Sequence, residues 1–236
     1  MAKGNSPHGL ICARVRPNTI TAGLHMLLPA ALFALGVALA VFYLPRTGGR
    51  VCWARSIRKT LPVALFALAA YFQGAPVLLV AGLALSALGD LALSRPGERA
   101  FLVGMVAFAS AHIAYIVLMA TLGSGPQLAQ WPLILLMVGL GLSTEIWLRP
   151  HTGALKWPVR GYVVIILGMG LMALGLPEAR IVALWGALLF VLSDLVLSVE
   201  TFVLAPDDPR RKWAGKIVWI TYIAAQIGLF WGLGAL

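Results

Sequence analysis

Eight apolar runs alternate with short polar breaks along the chain, at about 20–44, 57–73, 75–94, 100–122, 129–148, 159–176, 179–204 and 214–235. A helix of about 20 apolar residues spans the hydrocarbon core of a bilayer. The breaks carry turn chemistry: Pro45 to Gly49, Gln73-Gly74-Ala75-Pro76, Arg95-Pro96-Gly97, Gly123-Ser124-Gly125-Pro126, Arg149-Pro150 and Pro206-Asp207-Asp208-Pro209. A membrane barrel would need alternating segments of about ten residues, and none is present. Helices satisfy their own backbone groups in lipid. The pattern predicts an all-α fold, a polytopic transmembrane bundle of about eight helices.

Composition agrees. Of 236 residues, 61% are hydrophobic and 11% charged, against about a quarter charged in soluble domains. Mean hydropathy is +0.92. A soluble globule of this length cannot hide so much apolar surface, and a disordered chain would not carry it. The first run has no convincing small-residue cleavage site and is long for a signal peptide, so it reads as a retained helix. Residues 1–19 read as a polar leader ahead of one transmembrane domain over 20–236, with Met26 an alternative start. Cys12 and Cys52 form neither a CxxC pair nor a metal-ligand spacing, and no disulfide framework is expected.

The formal charge of +10 changes the picture only through where it lies. Fourteen of the eighteen basic residues fall in odd-numbered loops: Arg46, Arg50, Arg55, Arg58 and Lys59; Arg95 and Arg99; Arg149, Lys156 and Arg160; Arg210, Arg211, Lys212 and Lys216. The positive-inside rule places those loops in the cytoplasm and both termini outside, while the basic leader with Lys3, Arg14 and Arg16 argues the other way. A bacterial inner membrane is the expected location. There is no basic stripe interleaved with aromatics, so no nucleic-acid partner is expected. Trp53, Trp131, Trp157 and Trp213 read as an interfacial belt.

A short internal repeat is visible. Gly89-Asp90-Leu91-Ala92-Leu93-Ser94 ends the third run, and Ser193-Asp194-Leu195-Val196-Leu197-Ser198 lies in the seventh. Leu61-Pro62-Val63 and Trp157-Pro158-Val159 open the second and sixth. Two parallel four-helix halves would give this pattern, and so would chance.

Ionisable groups inside a bilayer are costly and usually functional. Asp90 and Asp194 stand out, each below its helix end and on runs heading to the same face. Ser86, Asp90 and Ser94 share one helix face; Gly186, Phe190, Asp194 and Ser198 share another. Two carboxyls in one low-dielectric site do not both ionise readily, which supplies one acid and one base. The plainer alternative is local pairing with Lys or Arg. Gly104, Phe108 and His112 form a stripe with Tyr115 one turn on; His112 is a packing residue or a participant. Tyr222 and Gln226 share a face and suit interhelical hydrogen bonding. Lys59 either snorkels or meets an Asp or a phosphate. Glu145 reads as interfacial. Ser193 has no His or Lys in sequence reach to make it a nucleophile. No metal-ligand motif, phosphate loop or nucleophile elbow occurs, so no metal or organic cofactor is expected.

These residues resemble the YhhN-like lysoplasmalogenase family, eight-helix membrane proteins of bacteria and animals. The carriers are Lys59-Thr60-Leu61-Pro62; Leu88-Gly89-Asp90-Leu91-Ala92-Leu93; Phe101, Gly104, Phe108, His112 and Tyr115; Gly186 through Asp194; and Tyr222 with Gln226. The resemblance covers the second to eighth runs. It implies hydrolysis of the vinyl ether of lysoplasmalogen, or of a related lysolipid, to a fatty aldehyde and glycerophospho-ethanolamine or glycerophospho-choline. Protonation of the alkenyl carbon makes an oxocarbenium ion, water adds, and the hemiacetal collapses. On this reading Asp90 and Asp194 are catalytic, one as acid and one as charge stabiliser and base. Lys59, His112, Tyr115, Ser193, Tyr222 and Gln226 bind or orient. The expected partners are a lysophospholipid and the bilayer, with no obligate protein partner.

Two other readings use the same aspartates. A small proton-coupled transporter or lipid-binding protein would use intramembrane carboxylates as relays. An intramembrane aspartyl protease resembles a Gly-x-Gly-Asp pattern, but residue 87 is Ala and Asp194 follows Ser193.

Overall fold

The computed structural model describes residues 19–49 and 51–234. Residues 1–18 of the leader, with Lys3, Cys12, Arg14 and Arg16, and also Arg50, lie outside the described residues. Eight α-helices follow one another: α1 Thr19–Tyr43, α2 Trp53–Phe72, α3 Val77–Leu93, α4 Glu98–Leu122, α5 Trp131–Trp147, α6 Lys156–Leu174, α7 Ile181–Ser198 and α8 Arg210–Gly234. No strand occurs among the described residues.

The predicted runs and the helices coincide, with a consistent difference at three starts. α2, α6 and α8 begin three or four residues earlier, at Trp53, Lys156 and Arg210. Their first turns carry Trp and basic residues, which hydropathy assigns to a loop but which a helix end carries into the interface. Cation–aromatic stacking occurs on these turns: Arg160 is 4.8 Å from the Trp157 ring and Lys216 4.8 Å from that of Trp213. The end of the seventh run differs in kind. After Ser198 the chain continues as a π-helical turn, Val199–Val203.

Six helices among the described residues are long and apolar enough to cross a membrane, and the chain is an integral membrane protein. The two that fall short are α2, whose first turns are basic, and α3, which has 17 residues. α3 compensates by position: Leu79, Gly82, Leu83, Ser86, Ala87, Gly89 and Asp90 are all buried among its neighbours. α5 is the opposite case, with Met137 its single buried residue and most of its surface free for lipid.

Small residues set the closest helix contacts. Gly186 of α7 faces the backbone of α8, where a Cβ would lie 2.8 Å from Leu229 N and 3.0 Å from Ala225 O. Gly228 and Gly232 of α8 meet Gly186 and Ala183 in return. This is the small-residue packing by which helices associate in lipid. α3 and α4 pack as closely: a Cβ at Gly104 would come 2.6 Å from Leu93 Cγ and 3.2 Å from Gly89 O. The two helices that carry the repeated Asp motifs, α3 and α7, are each packed closely against the helix that follows. The other pairs differ: α1 packs closely on α2 while α5 touches α6 sparsely.

Candidate active site

The two aspartates project from the paired helices α3 and α7 into one cavity. It holds about 1020 Å³ of space, its open mouth included, and both Asp90 and Asp194 line it. Thr47, Arg55, Phe101, Glu200 and Gly215 also line it. They come from the helix ends next to the first, third and seventh loops, so the cavity opens on the odd-loop side. Asp90 lies three residues before the end of α3, below the rim.

The two carboxylates have different surroundings. Asp90 is 2% exposed and has a counter-charge. Lys59 Nζ lies 3.3 Å from its Oδ1, and Tyr222 OH donates to its Oδ2 at 2.7 Å. The ion pair and the hydrogen bond satisfy both oxygens, as burial of a charge requires. Asp194 has a more exposed side chain, at 12%. The Tyr162 hydroxyl donates to its Oδ2, and His112 Nε2 stands 3.6 Å away. No Lys or Arg nitrogen lies within 4.0 Å of Asp194 among the described residues.

Tyr162, His112 and Asp194 form a chain. His112 Nε2 is 3.0 Å from the Tyr162 hydroxyl. A phenol has one proton. With that proton given to Asp194, the Tyr162 oxygen accepts from His112 Nε2–H. His112 is fully buried. Its ring is held edge-on by Phe190, 4.6 Å between centroids, and its Nδ1 has no partner. Each aspartate is thus served by the helix before it and by a helix of the other half: Asp90 by α2 and α8, Asp194 by α6 and α4.

Of the remaining expected residues, Tyr115 and Gln226 fall one layer out and Ser193 lies on the wall. Tyr115 OH donates to Gln226 Oε1 at 3.0 Å, both fully buried and off the cavity wall. Ser193 lines the cavity, with its hydroxyl donating to Val218 O at 3.1 Å. Glu145 accepts from Arg160 near the helix ends. Sequence reasoning passed over Tyr162. Its signal is faint: one hydroxyl in the apolar stretch from Gly161 to Leu167.

Asp194 also borders an apolar slot between α4, α6 and α7. About 480 Å³ of space is lined there by Met105, Phe108, Val159, Tyr162, Val163 and Phe202, among others. Leu93, Phe101, Phe108 and Leu197 belong to both the slot and the main cavity. Polar and apolar compartments therefore meet at Asp194. That arrangement suits an amphiphile whose reacting bond lies between a polar head and a chain.

The chain is similar to known proteins over most of its length. The model of the YhhN family matches residues 54–233. Lysoplasmalogenase TMEM86B of Homo sapiens is 33% identical over 182 residues, 75% of this chain and 74% of that protein. Lysoplasmalogenase TMEM86A of Bos taurus is 31% identical over 192 residues, 74% of this chain and 76% of that protein. A lysoplasmalogenase of Mycobacterium bovis is 31% identical over 166 residues, 65% of this chain and 60% of that protein. No solved structure matches significantly.

Proposed function

The chain belongs to the YhhN family, and from that premise we propose that it is a membrane hydrolase of the vinyl-ether bond of lysoplasmalogen. The products are a fatty aldehyde and glycerophospho-ethanolamine or glycerophospho-choline. The observation that carries this reading is the unlike pair of carboxylates on one cavity where polar and apolar walls meet.

Asp90, matched by Lys59, is the carboxylate that stays ionised and stabilises the oxocarbenium ion. Asp194, whose partners are the hydroxyl of Tyr162 and the ring of His112, is the acid. Its Oδ2 is held by Tyr162, so Oδ1 carries the transferable proton. The proton goes to the alkenyl carbon remote from the ether oxygen, and the carbon on oxygen becomes the cation. Asp194, now a carboxylate, takes a proton from the attacking water. The same proton then passes to the glycerol oxygen as the hemiacetal C–O bond breaks, and the hemiacetal hydroxyl returns its proton to Asp194, leaving the aldehyde and the protonated acid. This is the acid-then-base exchange that carboxylate pairs perform in glycoside hydrolysis. The alkenyl chain occupies the apolar slot, and the head group faces the rim.

The odd-numbered loops are proposed to be cytoplasmic and the membrane the bacterial inner one, on the distribution of basic residues. Substrate then enters from the cytoplasmic leaflet. The test is aldehyde release from lysoplasmalogen by the purified protein, beside Asp90→Asn and Asp194→Asn. Release by the parent protein alone supports the reading. Equal release by either folded variant would remove that aspartate from the mechanism, and no release by the folded parent would remove the hydrolase.

A further inference from the structure

Lys59 is the one amine side chain on the lining of the cavity among the described residues. It rises from the second turn of α2. Its side chain is 21% exposed, and its Nζ lies 3.3 Å from Asp90 Oδ1. Asp90 is buried and takes a further hydrogen bond from the Tyr222 hydroxyl. The hydrolysis proposed above uses this pair only as fixed charge, yet it releases an aldehyde beside it. The carbon that Asp90 stabilises as a cation is the one that becomes the carbonyl. A carbonyl carbon is the electrophile to which a lysine amine adds.

The surroundings suit that addition. Leu93, Phe101, Phe108 and Leu197 form apolar wall on the same cavity and also border the slot behind Asp194. A fatty aldehyde can lie along them with its carbonyl toward the polar side, where Lys59 stands. Confinement of this kind raises the effective concentration of one reactant at another. Asp90 supplies the proton exchange. It takes a proton from Nζ, whose lone pair adds to the carbonyl carbon, and the carbonyl oxygen then takes that proton from Asp90. Asp90 removes a second proton from the nitrogen and gives it to the new hydroxyl. The hydroxyl leaves as water while the nitrogen lone pair closes the C=N bond. An ammonium and an aldehyde become an iminium and water, with no other reactant. The nitrogen ends with the positive charge it began with, so the buried carboxylate keeps its counter-charge.

We propose that Lys59 is a covalent capture site for fatty aldehydes, holding them as a protonated Schiff base with Asp90 as counter-ion. The inference rests on the reading of this cavity as the place where a vinyl ether is cleaved. A chain held on Lys59 fills the cavity and excludes the next lysolipid. The adduct therefore makes product inhibition covalent, and water reverses it. Lys156, Lys212 and Lys216 lie off the cavity lining and share none of this confinement.

The experiment treats the purified full chain in detergent with hexadecanal and sodium cyanoborohydride. The reductant delivers hydride to the iminium carbon and fixes the adduct as a secondary amine, which peptide mass spectrometry locates. Lys59 is expected to gain the hexadecyl chain about tenfold faster or more than each of Lys156, Lys212 and Lys216. Excess 1-hexadecanol, which fills the same space but has no carbonyl, should protect Lys59 alone. Labelling of Lys59 no faster than the other three overturns the proposal. So does labelling that hexadecanol slows equally at all four, which places the reaction outside the cavity. Lys59→Arg should remove the adduct peptide, and should that variant fail to fold, the parent protein's labelling ratio still decides. Aldehyde release from lysoplasmalogen, followed in parallel without reductant, separates the two readings. Release without preference for Lys59 sinks the capture site alone. Preference for Lys59 without release sinks the hydrolase and leaves an aldehyde site.

Discussion

Replacing Tyr162 by Phe removes one oxygen and leaves everything else in place. The ring keeps its packing and its edge contact with His112, 5.6 Å between centroids, so no cavity opens and little stability is lost. What disappears is the bridge. Asp194 loses the donor on Oδ2, and His112 Nε2 loses its partner at 3.0 Å. At 3.6 Å, His112 is too far from Asp194 to replace the bond without moving. A hydrogen bond to a charged group contributes about 1.5–3 kcal/mol. In the proposed mechanism it is needed most after proton transfer, when Asp194 carries charge. The expected loss in kcat is therefore about 10- to 150-fold. KM should change by less than about threefold, because the hydroxyl holds the acid rather than the lipid. The assay is continuous aldehyde release, with thermal unfolding in the same detergent as the control. A folded Tyr162→Phe protein with kcat within about twofold of the parent would refute the role given to this chain of three residues.

Breaking the buried pair by Lys59→Met should lower stability, with about 3–5 kcal/mol as the upper bound for a fully buried pair and less here because Lys59 is 21% exposed. Adding Asp90→Asn should restore part of the loss, read as the thermal midpoint of the double variant against the single one. Gly186→Leu should prevent α7 and α8 from docking, since even a Cβ meets Leu229 N at 2.8 Å; size-exclusion profile and unfolding midpoint report it, and a monodisperse, parent-like protein would contradict the packing argument. Cys52 is a free, exposed thiol in the first loop. With Cys12 changed to Ser, an impermeant maleimide should label inside-out vesicles and spare right-side-out ones, and the reverse pattern would invert the proposed topology.

Much of the fold was legible because a bilayer reduces the problem to where apolar runs start and stop. The same contrast exposed Asp90 and Asp194: a charge in an apolar helix has no cheap explanation. Lys59 was legible as a cation able to meet an Asp and Tyr222 as a polar group on such a helix, although their meeting on the same Asp90 was not. The missed features are those without that contrast. Tyr162 is a hydroxyl on an aromatic ring, and aromatic rings are ordinary in membrane helices. Glu200 reads as the tail of an apolar run, because only the π-helical turn shows that it faces the cavity. Helix starts at Trp53, Lys156 and Arg210 were hidden by amphipathic side chains that belong to helix and interface alike.

The cross-bracing of the two aspartates also follows the order in which the chain is synthesised. A ribosome delivers α2 and α3 in succession, so Asp90 reaches the membrane with Lys59 already beside it in the nascent hairpin. Asp194 arrives later, when His112 on α4 and Tyr162 on α6 have already been made and can receive it. Neither carboxylate waits in lipid for a partner still to be translated, apart from the last hydrogen bond from Tyr222 on α8. The order of helices along the chain thus lets each buried charge be met as it enters, and the cavity closes only when the final helix docks.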